Sequence, residues 1–534
     1  MSVRATIARN TLFNMGGRAF EGVFGLALTW YLVQRLGAEG WGLWSLVAVF
    51  TGYAALFDLG FGSGFAKYIA EHDARDERHR ISQVVSTGLA FYFVLSVAAV
   101  IVIWVFADLL LDYVIIPFAG DSVADPRTFE DLRFLCRGAA LVFAVNNCIA
   151  PFANLPVGLQ RMGINNSLAM VVTVVKFVAA VAFIEAGWGV RGMLLAQGVS
   201  VCLFGAACVV AAFVIAPHLR VSPAHIDRAV FHQLFSFGWR TQVAKLANLI
   251  NFQTDRMIVA AAYKFGDMGL VGLYGLGEYL AMKMRQGPAL LVSALIPAAS
   301  AMNALSREEQ LEKLYLLATK YMAAVSVPLA CYLVCAADLA LRAWLGEQPG
   351  LDRAAWVMRI LCMGYLINLL PGPGMSIILG KGLAATPMFA GVISMAVNIT
   401  STLLLFWMIG FYGVPLGTML GMAVSSTWFF AHARKHIRIP LATLALRALL
   451  WPALACLPGA TITLAIALFL HDDLGHLVNL AGLAASGVAF GSSYLAVLRF
   501  APFLDAFDRD FLLKTLRLEK LPGARLLIGG AASA

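Results

Sequence analysis

The chain is cut into runs of about 20 or more mostly apolar residues, separated by short clusters of charged and turn-forming residues. That pattern leaves little choice of fold. The hydrocarbon core of a bilayer offers no water to a backbone amide, so a run of this length crosses it as a helix with every backbone group bonded internally. Fourteen segments result, over approximately 9–33, 41–66, 83–116, 132–156, 164–185, 190–216, 233–261, 268–302, 317–341, 354–379, 384–408, 413–432, 444–470 and 475–498. Only 13% of the 534 residues are charged, against roughly 25% in soluble domains, which excludes a soluble globule. The expected fold is an all-α integral membrane protein of about 14 transmembrane helices. A formal charge of +9 would point to nucleic acid in a soluble protein. Here the basic residues fall mostly between the apolar runs, where they set orientation, and no nucleic-acid partner is expected.

Lysine and arginine concentrate on one side of these segments. With the N-terminus inside, the inner turns hold Arg4, Arg9, Lys67, Arg75, Arg78, Arg80, Arg161, Arg220, Arg228, Arg307, Lys313, Lys320, Lys381, Arg434, Lys435, Arg438 and a basic tail. The outer turns hold only Arg35, Arg127, Arg133, Arg191, Lys264, Arg342 and Arg353, and the outer loops at 119–131 and 471–473 are acidic. Both termini are therefore expected in the cytoplasm. The first apolar run carries Arg18 and Glu21 and lacks a small-residue cleavage site, so it reads as a retained helix and not a signal peptide. The 8 cysteines lie inside apolar runs without metal-type or paired spacing and read as small buried thiols; no metal and no cofactor is expected.

An internal repeat runs through the chain at an offset of about 230 residues. Arg35-Leu36-Gly37 with Gly40 and Gly42-Leu43-Trp44 recurs as Lys264-Phe265-Gly266 with Gly269 and Gly272-Leu273-Tyr274. Arg75-Asp76-Glu77-Arg78 corresponds to Ser306-Arg307-Glu308-Glu309, and Gly189-Val190 to Gly413-Val414. Each copy holds six spans, an even number, so both face the same way across the membrane. This predicts two six-helix lobes, 1–217 and 218–435, related by a pseudo-two-fold axis along the membrane normal, with a cleft between them suited to alternating access. Residues 436–499 add an extra helix pair, and 500–534 form a cytoplasmic tail that reads either as an interfacial amphipathic helix or as a solvated extension.

An Arg, Lys or Asp at the centre of a spanning helix costs about 2.5–3.5 kcal/mol on insertion scales, so a charge at mid-depth needs a partner, water or ligand. In the first span Asn10, Asn14, Arg18 and Glu21 form one polar stripe, either a self-neutralising Arg18–Glu21 pair or the wall of a cavity. The seventh span carries Arg240, Gln242, Lys245, Asn248, Asn251, Asp255 and Arg256, too polar to face lipid. Span eight adds Glu278, Lys283 and Arg285 before a predicted kink at Pro288. Lys176 stands alone in span five, where it either binds a ligand or bonds to Asn146 or Asn147 of span four; Asn398 is its repeat mate. Arg18, Lys176, Lys245, Lys283 and Arg285, with Asn248 and Asn251, are the candidate substrate-binding residues. Glu21, Asp58, Asp255 and Glu278 are candidates for coupling or for structural pairing. The surplus of positive charge suits an anion, above all a phosphate.

The chain resembles the Wzx-like oligosaccharide flippases, the polysaccharide-transport family of the multidrug/oligosaccharidyl-lipid/polysaccharide exporter superfamily. The resemblance rests on Leu36-Gly37 with Gly42-Leu43-Trp44-Ser45-Leu46, on Phe57-Asp58-Leu59-Gly60 followed by Gly64-Phe65-Ala66-Lys67, and on Leu295-Ile296-Pro297. It extends to Leu379-Gly380-Lys381-Gly382 and Phe411-Tyr412-Gly413-Val414-Pro415, covering about residues 9–435. It implies a V-shaped two-lobe bundle in the bacterial inner membrane that carries undecaprenyl-pyrophosphate-linked oligosaccharide from the cytoplasmic to the periplasmic leaflet for O-antigen, capsule or exopolysaccharide synthesis. Implied partners are the lipid-linked oligosaccharide, membrane lipids, a coupling proton or sodium ion, and the polysaccharide polymerase and glycosyltransferases of the same process. Related lipid II flippases carry basic residues in a central cavity, a position that Arg18 matches in the first helix, and a lipid groove lined by the last two helices.

Two readings from the same superfamily compete: a lipid II flippase, and a cation-coupled multidrug antiporter, which would show carboxylates dominating the cleft. An enzyme acting on such lipids needs an extended outer loop with paired carboxylates, and Asp472-Asp473 sits in too short a turn, so no enzymatic activity is expected. The last span carries Gly482, Ala484, Ala485 and Gly487, which either leave room for a polyprenyl tail or permit close helix packing. The charge asymmetry predicts that a cysteine probe placed at Asp76 is protected from impermeant thiol reagent added outside intact cells; labelling there would overturn the orientation.

Overall fold

In the computed structural model, the described residues are 3–54, 61–110, 126–159, 161–263, 267–293, 295, 299, 302–303, 308–383, 385–437, 440–470 and 475–503. Side chains within parts of these helices, including 3–16, 18–19, 47–54 and 237–250, lie outside the description. Every described element is helical. Eight stretches among the described residues are long and apolar enough to cross a membrane. Two of these, Gly163–Ile215 and Ala385–Ala433, each contain a pair of helices. The protein is therefore a multi-pass membrane protein. The tail beyond 503, the acidic turn at 471–473 and Asp58 lie outside the described residues.

The chain divides into two compact units, Met1–Gly275 and Leu276–Ala534. The first contains α1 (Val3–Ala54), α2 (Phe61–Ala74), α3 (Arg78–Leu110), α4 (Pro126–Gly158), α5 (Met162–Phe183), α6 (Gly189–Ile215) and α7 (Arg228–Ala262). The division falls inside α8 (Met268–Ser293). The break expected near residues 35–40 is a kink within α1, where Gly37 adopts φ 68°, a left-handed conformation that a side chain disfavours. Helices α5 and α6 form a hairpin through a π-helical turn, Ile184–Trp188, with Gly187 at φ 85° and Gly189 at φ 52°. Both α6 and its repeat mate α14 (Gly413–Ala433) open on the repeated glycine.

Helices α1 and α5 run parallel, as spans one and five should. Gly17 lies against Asn166, the Phe24 ring meets Phe177 edge-on at 5.7 Å, and at the far end Arg35 pairs with Glu185 at 2.6 Å while the Tyr31 hydroxyl donates to the same carboxylate at 2.7 Å. At the opposite end of this unit Phe65, Ile69, Val85, Tyr92, Leu155 and Leu234 form a buried core. The connection into α7 is strapped onto the first turns of α3. Ser82 and Thr87 hydroxyls accept from the backbone N–H groups of Arg220 and Asp227 at 3.1 and 3.0 Å, and Asp227 caps α7 by accepting from Ala229 N–H at 2.7 Å.

The two copies of the repeated glycine motif meet each other. A Cβ on Gly42 would lie 2.0 Å from the Met268 carbonyl oxygen, and a Cβ on Gly272 would lie 1.9 Å from that of Ala38. Gly272 is the repeat mate of Gly42, and Met268 and Ala38 each lie four residues before these glycines, so the contact is reciprocal, as a local two-fold axis requires. Only glycine lets the backbones approach this closely.

The second unit holds α9 (Glu308–Cys335), α10 (Ala337–Leu345), α11 (Leu351–Leu369), α12 (Gly372–Gly380), α13 (Ala385–Ile409), α14, α15 (Leu450–Phe469) and α16 (His476–Phe500). The α13–α14 hairpin is close-packed along Gly413, Gly417 and Gly421, spaced by four. A Cβ at Gly417 would lie 2.4 Å from Thr402 Cα, and one at Gly421 would lie 2.9 Å from Asn398 Cα. Helix α16 is pinned to α9 by two tyrosines: Tyr332 donates to the Leu483 carbonyl and Tyr494 to that of Ala324, both at 2.8 Å. At Gly482 and Gly487 the packing reading holds, because a Cβ would lie 2.1 Å from Leu470 and 3.2 Å from the Tyr332 hydroxyl respectively; Ala484 and Ala485 are exposed.

Gly272→Val is expected to prevent recovery of monodisperse protein or to lower its unfolding temperature by several degrees, because the clash is with backbone that has no rotamer to change. Gly22→Ala, with open space around its Cβ position, should leave that temperature unchanged.

Candidate functional site

The charged residues expected to serve a ligand are divided between the two units. In the first unit Lys176 of α5 is half-buried, and the charge acting on it is the exposed Glu21 carboxylate of α1. Among the described residues Lys176 makes no hydrogen bond to Asn146 or Asn147; Asn146 is exposed and Asn147 is buried. Its repeat mate Asn398 has a packing role. The Asn398 Oδ1 atom accepts from Thr402 at 3.0 Å and from Thr418 at 3.3 Å within the α13–α14 hairpin. Arg18 sits one turn before Glu21 in α1, and Lys245 and Asn248 lie in α7; their side chains lie outside the description.

Asn251 and Asp255 follow on α7 and are buried at 6% and 5% exposure. The Tyr274 hydroxyl donates to Asp255 Oδ2 at 2.6 Å, and Arg256 donates to the Ser45 carbonyl at 3.4 Å. Both contacts flank the Gly42–Gly272 crossing. Asp255 is thereby a bonded member of that crossing, consistent with the structural alternative open for it from sequence.

In the second unit Glu278, Lys283 and Arg285 lie on α8. Glu278 is buried. The Lys283 ammonium lies 5.0 Å from the centre of the Tyr279 ring, which stacks on Trp344 at 5.7 Å, so a cation–π contact receives that charge. Arg285 Nε points to Asn368 Oδ1 of α11 at 3.5 Å, a long contact, beside the buried Tyr365. Side chains two positions apart on a helix do not face each other, so Lys283 and Arg285 engage different neighbours. Tyr279, Trp344 and Asn368 did not stand out in the sequence, because an aromatic or amide within an apolar run carries no charge to mark it.

With this geometry in view, the known proteins that the chain is similar to become informative. A family described as "Polysaccharide biosynthesis protein" matches residues 7–303, more than half of the chain. The chain belongs to that family. It is 24% identical over 427 residues, 79% of its own length and 94% of the relative's, to a Shigella flexneri protein named "Putative O-antigen transporter". Its fold matches the lipid II flippase MurJ in an inward closed conformation with a TM-score of 0.68 at 13% identity, over 92% of this chain and 99% of that one. It also matches an inward-facing multidrug-resistance transporter of the MOP superfamily with a TM-score of 0.62 at 16% identity, over 78% and 94%. Family and relative point to a transporter rather than an enzyme, and the fold is one that the lipid II flippase and the multidrug transporter share.

The Lys176 environment supplies a test of its own. A double-mutant cycle of Lys176→Gln and Glu21→Gln, read by thermal unfolding in detergent, is expected to give a coupling of about 0.5 kcal/mol or more. Additive effects would show that the two charges act independently.

Proposed function

We propose that this protein moves undecaprenyl-pyrophosphate-linked oligosaccharide from the cytoplasmic to the periplasmic leaflet of the bacterial inner membrane. The observation that carries the reading is the excess of cations on spanning helices, with Lys176 on α5 and Lys283 and Arg285 on α8, in a chain of the polysaccharide biosynthesis family. A pyrophosphate is the anion such cations suit, since charge-assisted hydrogen bonds to its oxygens offset the cost of holding ammonium and guanidinium groups at depth. The name carried by the Shigella flexneri relative agrees with a substrate of this kind. A drug-expelling antiporter fits less well, because Glu278 and Asp255 are buried in the protein and are outnumbered by the basic groups.

Lys283 and Arg285 lie on different faces of α8, and on this reading each adds positive charge along the path of the anion. Arg18, Lys245, Asn248 and Asn251 extend the polar surface on α1 and α7. A proton or sodium gradient supplies the return step, and the glycosyltransferases and polymerase act before and after transport.

The test is reconstitution of the full chain into liposomes, with transbilayer movement of undecaprenyl-pyrophosphate oligosaccharide scored beside lipid II and a cationic dye. Movement of the oligosaccharide lipid at least tenfold above empty liposomes is expected, with no dye transport. Loss of a charged hydrogen bond costs about 1.5–3 kcal/mol. Lys283→Gln and Arg285→Gln should accordingly each slow flipping by roughly tenfold or more while leaving expression intact. Dye transport alone, or full activity in the double variant, would overturn the reading.

A further inference from the structure

The α13–α14 hairpin of the second unit turns one stripe of each helix outward. On α13 the exposed positions are 385, 388, 389, 392, 396 and 400, and on α14 they are 420, 424, 427 and 431, both series at helical spacing. The stripes are largely apolar, with Phe389, Val392 and Val424 at 52%, 41% and 43% exposure, so they face hydrocarbon and not a polar cleft. Near the end where α13 begins and α14 finishes, the centres of the Phe389 and Trp428 rings lie 6.5 Å apart, and the His432 ring stacks on Trp428 at 4.1 Å. Tryptophan toward the end of a spanning helix marks headgroup depth.

At that depth the α14 stripe runs into two cations. Arg434 and Lys435 stand three and four positions after the exposed Ala431, and both are exposed themselves. Neither pairs with a carboxylate among the described residues. The sequence explains why, because it holds no aspartate or glutamate anywhere from Lys381 to Leu470. The first turns of α9 bring Glu308, which takes Lys381 at 2.9 Å, Glu309, which takes Lys313 at 2.6 Å, and Glu312. Three carboxylates therefore meet four cations: Lys313, Lys381, Arg434 and Lys435. The adjoining positions 304–307, 384, 438 and 439 add two arginines and no acid by sequence, and the tail 504–534 carries five basic and four acidic side chains. The excess at this end is positive. The α2–α3 turn of the first unit differs, since Arg75, Arg78 and Arg80 there meet Glu71, Asp76 and Asp227 at 2.9, 2.9 and 3.6 Å.

We propose that this end of the α13–α14 hairpin binds an anionic phospholipid of the bilayer, its headgroup phosphate on Arg434 and Lys435 and one acyl chain along the stripe past Phe389 and Val424. The unneutralised cations select an anionic headgroup over a zwitterionic one, and the open apolar stripe takes a chain without removing it from the lipid phase. None of the residues assigned to substrate lies on α13 or α14, so the site does not rest on the transport reading.

The test is native mass spectrometry of the full chain in detergent, titrated with phosphatidylglycerol, phosphatidylcholine or undecaprenyl phosphate. Phosphatidylglycerol should form its first adduct at a concentration at least tenfold below phosphatidylcholine. Arg434→Gln/Lys435→Gln, a change at two exposed positions, should abolish that preference. Arg75→Gln/Arg78→Gln removes as much charge from the α2–α3 turn and should leave the preference in place. If the Arg434/Lys435 variant is not recovered, Lys435→Gln decides alone, with the preference expected to fall at least threefold. Equal binding of the two phospholipids by the unaltered chain, a preference that survives the changes at 434 and 435, an equal fall in the Arg75/Arg78 variant, or tighter binding of undecaprenyl phosphate than of phosphatidylglycerol would each overturn the proposal.

Discussion

Every backbone amide of a membrane-spanning chain must find its partner inside the protein, and the rest of this structure follows from that constraint. It explains why the described residues form helices alone, and glycines stand at several of the breaks between them. The kink at Gly37 and the turns at Gly187, Gly189 and Gly410 lie at helix junctions, away from the span centres. The same constraint governs small polar side chains within the spans. Thr29, Thr173, Thr319, Ser326, Thr400 and Thr463 each return a hydrogen bond to the carbonyl four residues earlier, so these six hydroxyls find their acceptors within their own helices.

Once backbone polarity is settled within each helix, the helices must associate without a hydrophobic driving force, because lipid is as apolar as leucine. Small residues then decide which helices meet. The crossing of Gly42 and Gly272 and the α13–α14 hairpin along Gly413, Gly417 and Gly421 are the two clearest cases. Both place backbone against side chain or backbone at distances that no larger residue tolerates. The reciprocal form of the first contact ties the packing to the internal repeat, since repeat mates exchange the same atoms.

Charge is treated locally and in several ways. Asp255 is absorbed into the glycine crossing by Tyr274, Lys176 is offset by Glu21, Lys283 rests on an aromatic ring and Arg285 reaches an amide on α11. Each arrangement lowers the cost of a charge on a spanning helix.

Much of the fold was legible in one dimension. Apolar run length specifies spanning helices, and the repeat at an offset of about 230 residues, with Gly42 matched to Gly272, foretold equivalent elements, because length, composition and order are properties of the chain itself. The candidate site was legible only as a set of charges. Sequence placed Lys176 beside Asn146 or Asn147 or against a ligand, whereas folding brings Glu21 to it from 155 positions away, through the parallel packing of α1 and α5. It grouped Lys283 with Arg285, whereas the helix turns them toward different neighbours. Arg434 and Lys435 read as inner-turn charges, and became the foot of an apolar stripe only when α13 and α14 aligned their exposed faces. A polar residue in a long helix is carried to a particular neighbour by rotation about the axis and by which helix packs against it, and those two quantities exist only in the tertiary structure.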